Sequence, residues 1–178
     1  MDEKKLYQDF LDGNTKAFEE IVCSYRSGLI GFIARFIADI EIAEDISQDV
    51  FVDVYMNKEK YNFKFSLKTY LYSIGKYKAL DYLKKIKKYD AAKITEIINE
   101  KSAEDEVLLH ESKLTLINAL KKLKKNYEIA VYLADIEGLS YKEISKITNT
   151  TIPQVKITIH RARKALRALI EKEECFYA

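Results

Sequence analysis

The sequence predicts an all-α protein, two small helical domains joined by a flexible linker. Three observations predict it. The chain of 178 residues has only five glycines and one proline, few breakers for a turn-rich β architecture, and it is rich in the straight-chain residues that helices favour. Apolar residues recur at helical spacing along most of its length, and no alternating run reads as a strand. From Tyr89 to Lys101 that periodicity weakens and polar residues accumulate. A helical bundle of three to four helices is therefore expected first, a linker opens at Tyr89, and a second domain holding a helix-turn-helix follows.

The first periodic stretch runs from Thr15 to about Ala38, with Phe18, Ile21, Val22, Tyr25, Leu29, Phe32, Ile33 and Phe36 apolar. Cys23 lies within it and is expected in the core. A second helix is expected from about Ile42 to Tyr55. A third opens near Ser66, after the aromatic loop Tyr61-Asn62-Phe63-Lys64-Phe65, and continues to about Lys88. The linker offers a short helix at Ile94–Asn99. Beyond it, helices are expected from Ser102 to about Lys124, then at Asn126–Ile136, Ser140–Thr148 and Ile152–Glu171.

The last two of these carry paired start signals. In Ser140-Tyr141-Lys142-Glu143 and Thr151-Ile152-Pro153-Gln154, a hydroxyl can accept from the N3 amide while the Glu or Gln reaches back to the cap amide. Pro153 falls in the first turn, where a missing N–H costs nothing. Only Thr148-Asn149-Thr150 separates the helices, the outline of a helix-turn-helix whose second helix suits the DNA major groove. On that helix Ile152, Val155, Ile159, Ala162, Leu166 and Leu169 make one apolar stripe. Lys156, Ile157, His160, Arg161, Lys164 and Arg167 project from the other side, and no acid occurs from Val155 through Ile170. A solvated basic face is the ordinary reading of such a pattern. The double caps, the tight turn and the one-sided charge favour DNA. Ile157, apolar but off the core stripe, is suited to a thymine methyl.

Net charge is only +2, so the distribution matters more than the sum. Asp39 to Asp53 contains no Lys or Arg, whereas Lys76 to Lys93 is strongly basic. Separate acidic and basic surfaces imply two kinds of partner. In the second helix Ile46, Val50 and Val54 share a side, leaving Asp45, Gln48, Asp49 and Val52 outward, a face that suits a basic partner helix. No His or third carboxylate converges on those acids, which argues against a metal. In the third helix Leu71, Ile74, Gly75, Ala79, Tyr82 and Ile86 line the core side. Nearly opposite stand Lys76, Tyr77, Lys84, Lys87 and Lys88. Lysines there can neutralise phosphates, and the rings of the preceding loop can stack on unpaired bases. The combination fits single-stranded or opened DNA, with Asn62 to Ser66 as the place for an extruded base. Taken one at a time, Phe65, Tyr70 and Tyr72 read more ordinarily as packing.

No apolar run approaches the ~20 residues needed to cross a bilayer, and Met-Asp-Glu-Lys-Lys is not a signal peptide. Cys23 and Cys175 show no metal or disulfide spacing. A Gly-rich phosphate loop and a nucleophile–base pair are also missing. The expectation is a cytoplasmic, non-enzymatic protein with no cofactor, no metal and no membrane insertion, monomeric when free.

These segments together resemble a known family. Ala43-Glu44-Asp45-Ile46-Ser47-Gln48-Asp49-Val50-Phe51 is similar to the polymerase-binding helix of group IV (extracytoplasmic-function, ECF) sigma factors of bacterial RNA polymerase, A-E-D-L-x-Q-E-x-F. Phe65 to Ile74 resembles the family's F-x-T-W-L-x-x-I block, and Asp81-Tyr82-Leu83-Lys84-Lys85 its D-x-x-R-R end. Glu137 to Ile144, Val155-Lys156 and His160-Arg161-Ala162-Arg163 resemble the domain-four signature E-G-x-S-x-x-E-I…V-K-x-x-x-x-R-A-R. The likeness covers most of residues 15–171, in order. It implies sigma domain 2 at 1–88, a linker at 89–111 and sigma domain 4 at 112–178.

It further implies that Asp45, Gln48, Asp49 and Val52 engage core polymerase at the largest-subunit coiled coil, with the flap region a second docking point. Asn62, Phe63, Lys64, Phe65, Lys76, Tyr77, Lys84, Lys87 and Lys88 would read and melt the promoter −10 element. Lys156, Ile157, His160, Arg161 and Lys164 would face the −35 element. An anti-sigma factor is the family's usual further partner. Ile157 stands where Ser or Thr is common, which implies an altered −35 preference. The alternative is a helix-turn-helix regulator that binds duplex without forming a holoenzyme, and it leaves the acidic helix unexplained.

Overall fold

Two short polar side chains decide where the N-terminal helices begin. In the computed structural model, which describes residues 3–92 and 111–177, α1 (Glu3–Leu11) ends in a turn at Gly13, whose φ of +98° only glycine adopts freely. Asn14 then caps α2 (Thr15–Ile33) by accepting from the Lys16 amide, and Asp39 caps α3 (Ile40–Met56) by accepting from the Glu41 and Ile42 amides. A 3₁₀ turn at Lys58–Lys60 leads through the aromatic loop into α4 (Leu67–Ala92). The C-terminal half holds α5 (Glu111–Lys122), α6 (Lys125–Val131), a π turn at Tyr132–Ile136, α7 (Tyr141–Thr148) and α8 (Ile152–Tyr177). Among the described residues there is no strand.

Several boundaries differ from the sequence reading. Helix α1 was not anticipated, although Leu6, Tyr7 and Phe10 give it a buried face. Helix α2 stops at Ile33, because the chain tightens into i→i+3 bonds at Arg35 and Phe36 before Asp39 restarts it. Helix α4 continues to Ala92, so residues 89–92 are helical. The helix expected at Asn126–Ile136 widens into the π turn at Tyr132. The short helix at Ile94–Asn99 and the start at Ser102 lie outside the described residues.

One apolar cluster runs through both halves. It joins Leu6, Tyr7 and Phe10 of α1, Ile21, Leu29, Phe32 and Ile33 of α2, Ile46, Val50 and Val54 of α3, and Leu67, Leu71 and Tyr72 of α4. Leu133, Ile144, Ile147, Val155 and Ile159 of the C-terminal half belong to the same cluster. A smaller one, Leu120, Leu123, Val131 and Ala162, ties α5 and α6 to α8. Burying each such Leu, Ile or Val is worth roughly 1.5–3 kcal/mol.

Three expected core residues lie elsewhere. Cys23 is exposed, because two residues along a helix from buried Ile21 lies on its far side. Ile152, the first residue of α8, is 40% exposed and the buried stripe starts at Val155. Ile86 is exposed together with Lys84, Lys85 and Lys87, where α4 projects past the bundle.

The two halves meet along α4 and α7 and across α2. Phe32 stacks on Tyr72 and, at 6.4 Å, on Tyr132. Gly31 makes this approach possible, since a Cβ there would stand 2.8 Å from the Tyr132 hydroxyl.

Candidate nucleic-acid interface

Both helix starts of the helix-turn-helix form as their sequences require. The Glu143 amide donates to the Ser140 hydroxyl while a Glu143 carboxylate oxygen accepts from the Ser140 amide at 3.0 Å. Thr151 and Gln154 repeat the arrangement, the Thr151 amide donating to Gln154 Oε1 at 2.9 Å. Between them Asn149 takes the left-handed conformation, φ 57°, that ends α7. The turn holds α8 with Val155, Ile159 and Ala162 buried and Lys156, Ile157, His160, Arg161 and Lys164 exposed. Arg163 differs from these. It donates twice to the Asp135 carboxylate of the π turn, at 2.5 and 3.1 Å, and so braces the domain.

On α3 the acidic face stands clear: Asp45, Gln48 and Asp49 are exposed and Val52 is 60% exposed, continued by Met56. Ile46, Val50 and Val54 hold its opposite side in the core.

The loop before α4 is built rather than slack. Tyr7 packs edge to face on Tyr61 and Phe63, with ring centres 4.7 and 5.8 Å apart, while Phe63 and Tyr70 lie tilted against Tyr61 at 4.7 and 5.2 Å. The Tyr61 hydroxyl donates to the Phe65 carbonyl at 2.8 Å, and Asn62 accepts from the Lys64 amide at 3.1 Å. Phe63 takes φ 57°, a left-handed value that costs a bulky residue energy and persists because the aromatic cluster pins it. Helix α1 completes the support, with the Tyr7 hydroxyl on the Lys58 carbonyl and Glu3 accepting from the Leu67 amide that opens α4. Asn62 and Lys64 are exposed, whereas Phe63 is half-buried in the cluster, a ring held as part of the frame.

Along α4, Tyr77, Lys84 and Lys87 are exposed; the Lys88 side chain lies outside those described. Lys76 departs from the sequence reading, which set it opposite the core. It is half-buried, its ammonium donating to the Thr148 carbonyl of α7 at 2.7 Å, and burial lowers its pKa. Phe65 is also covered, with the ammonium groups of Lys142 and Lys146 5.7 and 5.9 Å from its ring centre.

The same seam gives Glu143, Lys68, Glu137, Arg35 and Glu128 long-range contacts that no local pattern implies. Glu143 divides its carboxylate: Oε2 serves the capping box, and Oε1 accepts from Ser66 Oγ at 2.6 Å and Thr69 Oγ1 at 3.0 Å. Lys68 donates to Glu137 at 2.8 Å. Arg35 meets Glu128 at 3.3 Å and lies over the Tyr132 ring. Burial pushes the Glu137 carboxyl up, but the Lys68 ammonium and nearby tyrosine hydroxyls outweigh it and hold it below the usual range.

Residues 21–89 match the family described as sigma-70 region 2, and residues 113–166 match sigma-70, region 4. The chain is 29% identical over 177 residues to the ECF RNA polymerase sigma factor SigW of Bacillus subtilis strain 168, covering 92% of this chain and 94% of that one. It belongs to the sigma-70 family, as an ECF sigma factor. A second relative, the ECF RNA polymerase sigma-E factor of Haemophilus influenzae, is 24% identical with 95% of each chain covered. Two solved structures share the sigma factor's fold. RpoE of Bartonella quintana in complex with the anti-sigma factor NepR has a TM-score of 0.68 at 20% identity, covering 88% of this chain and 98% of that one. CnrH in complex with the cytosolic domain of CnrY has a TM-score of 0.67 at 22% identity, covering 96% and 97%.

Proposed function

We propose a division of labour for this initiation specificity subunit, with domain 2 at 1–88 and domain 4 at 112–178. Asp45, Gln48, Asp49 and Val52 dock on the coiled coil of the polymerase largest subunit, and domain 4 meets the flap region. Asn62, Phe63, Lys64 and Phe65, with Lys76, Tyr77, Lys84, Lys87 and Lys88, take the −10 element as it opens. Lys156, Ile157, His160, Arg161 and Lys164 read the −35 duplex. One observation carries the reading: a single chain presents an acidic helix face, a pinned aromatic loop beside a basic helix, and a basic recognition helix. A protein that only bound duplex has no use for the first two. RpoE and CnrH were solved bound to NepR and CnrY, which supports an anti-sigma partner here as well.

The test is run-off transcription on fragmented bacterial genomic DNA, with core polymerase and purified sigma factor, followed by sequencing of RNA 5′ ends. The reading expects a discrete set of starts, each preceded by two common sequence blocks. Duplex binding with no initiation above core enzyme alone refutes it in favour of a regulator that binds duplex only.

A further inference from the structure

The −10 surface of the free chain is already partly occupied. Among its expected DNA contacts, Lys76 is spent on the Thr148 carbonyl and the Phe65 ring lies under Lys142 and Lys146. Beside them Lys68 holds Glu137, and the Ser66 and Thr69 hydroxyls hold Glu143. Glu128 divides its carboxylate, one oxygen held by Lys125 of its own helix at 2.8 Å and the other meeting Arg35 at 3.3 Å. Domain 4 thus sets two carboxylates and part of a third against cations and hydroxyls of domain 2. Cations and hydroxyls of this kind are the groups that a DNA strand's phosphates take. The −35 face is not affected by this contact, since Lys156, Ile157, His160, Arg161 and Lys164 all remain exposed.

We propose that the acidic row Glu128, Glu137 and Glu143 stands in for phosphates, so that domain 4 and the −10 strand compete for one surface of domain 2. Lys68, Ser66 and Thr69 thereby join the −10 contacts. The inference rests on the −10 assignment made above and adds its regulation: the closed chain can engage duplex through α8 but cannot engage an unpaired strand until the seam opens. Competition of this kind lowers apparent affinity by the fraction of molecules that are open. If roughly nine in ten are closed, full opening tightens single-strand binding about ten-fold.

The seam can be opened in two independent ways, neither at a residue assigned to DNA. Glu137→Ala removes the carboxylate that holds Lys68. Gly31→Ala places a methyl group against the Tyr132 hydroxyl, 2.8 Å away, without touching any charge. Within α2 that change otherwise favours the helix, so domain 2 keeps its fold.

Full-length parent and variants would be compared by small-angle X-ray scattering for compactness. Fluorescence anisotropy would follow binding to a labelled degenerate 20-nucleotide single strand and to its duplex form. Circular dichroism confirms that helix content is kept, and Glu137→Gln serves as the shape-conserving second variant. The expected result is expansion of Glu137→Ala and Gly31→Ala, a several-fold gain in single-strand affinity for both, and duplex affinity unchanged within two-fold. Lys68→Ala should expand the chain without that gain, because it removes a strand contact while opening the seam.

Folded variants that expand yet bind the single strand no better than the parent overturn the proposal, as do variants that stay compact. The run-off assay distinguishes the two readings. Normal initiation with flat single-strand affinity removes the competition and leaves the −10 assignment standing. Absent initiation removes the assignment itself.

Discussion

Arg161 and Arg163 stand two residues apart in one basic helix, yet their surroundings differ. That spacing turns them to opposite sides of α8. Arg161 is exposed on the basic face proposed to read the −35 duplex, whereas Arg163 makes two hydrogen bonds to Asp135. Arg161→Ala is therefore expected to cost about 1–3 kcal/mol of discrimination at one −35 position, roughly five- to 150-fold, the worth of a good base contact. Arg163→Ala removes a half-exposed ion pair, worth at most about 1 kcal/mol of stability. It should lower the melting temperature by about 2–4 °C and leave −35 discrimination unchanged. The assay is a pair of competition titrations, matched against scrambled −35 duplex drawn from the mapped starts, with thermal melts of both variants. A loss in Arg161→Ala that is equal on the two duplexes makes it a phosphate contact, and its salt slope should then fall by about 0.9. Lost discrimination in Arg163→Ala, with Arg161→Ala silent, refutes the orientation of α8.

Asp49→Arg puts a cation into the exposed acidic face of α3 and should abolish co-purification with core polymerase while the melting temperature holds; undiminished association would remove that face from docking. Ile157→Ser exchanges an exposed apolar side chain for a hydroxyl and should shift preference away from thymine at one −35 position, read by selection from a randomised duplex. An unaltered profile would reduce the residue to surface packing. Lowering pH should open the seam late. The Glu143 carboxyl is pushed up by burial but held below its ordinary value of 4.5 by its bonds to Ser66, Ser140 and Thr69, and Glu137 is held below it by Lys68. A depressed acid stabilises fully above its ordinary value and loses that contribution as pH falls through the folded one. Compactness by scattering should thus be flat from neutral pH to 4.5 and fall below it; expansion already complete near about pH 6 would take control of the seam away from these two carboxylates.

The helix-turn-helix was legible because its signals are local. A cap, a turn and a period can all be read within thirty-odd residues, and Ser140, Glu143, Thr151 and Gln154 form the bonds their spacing implies. The outward set on α3 was legible for the same reason, because Ile46, Val50 and Val54 fix which side faces in. Helix α1 was missed because nine residues give too few turns for the period to stand out, although Leu6, Tyr7 and Phe10 carry it. Cys23 sits in a segment whose apolar composition suggests core, whereas its angle along the helix from buried Ile21 turns it outward. Lys76 and Phe65 were assigned from their own helix and loop alone. What covers them comes from residues more than 70 positions away, and no pattern within α4 records it. Glu143 had a sufficient local explanation as a cap, which hid its second oxygen's contact with Ser66 and Thr69.

The small net charge takes on meaning in that light. Non-specific DNA affinity grows with the number of phosphates neutralised and falls steeply with salt. A chain of +2 with its acids spread at random would be a weak DNA binder everywhere on its surface. Here the acids are placed: one set on α3, turned outward and away from the core, and another, Glu128, Glu137 and Glu143, turned onto domain 2. The exposed basic face of α8 carries none, so its local field stays positive although the total is nearly zero. Lys84 and Lys87 likewise stay exposed where α4 projects, while Lys68 and Lys76 are engaged. Removing domain 4 from the seam would thus raise the positive potential of domain 2 by uncovering cations already there, with no change in the protein's total charge. Docking on a basic partner through α3 would act in the same direction, since it screens the other acidic set.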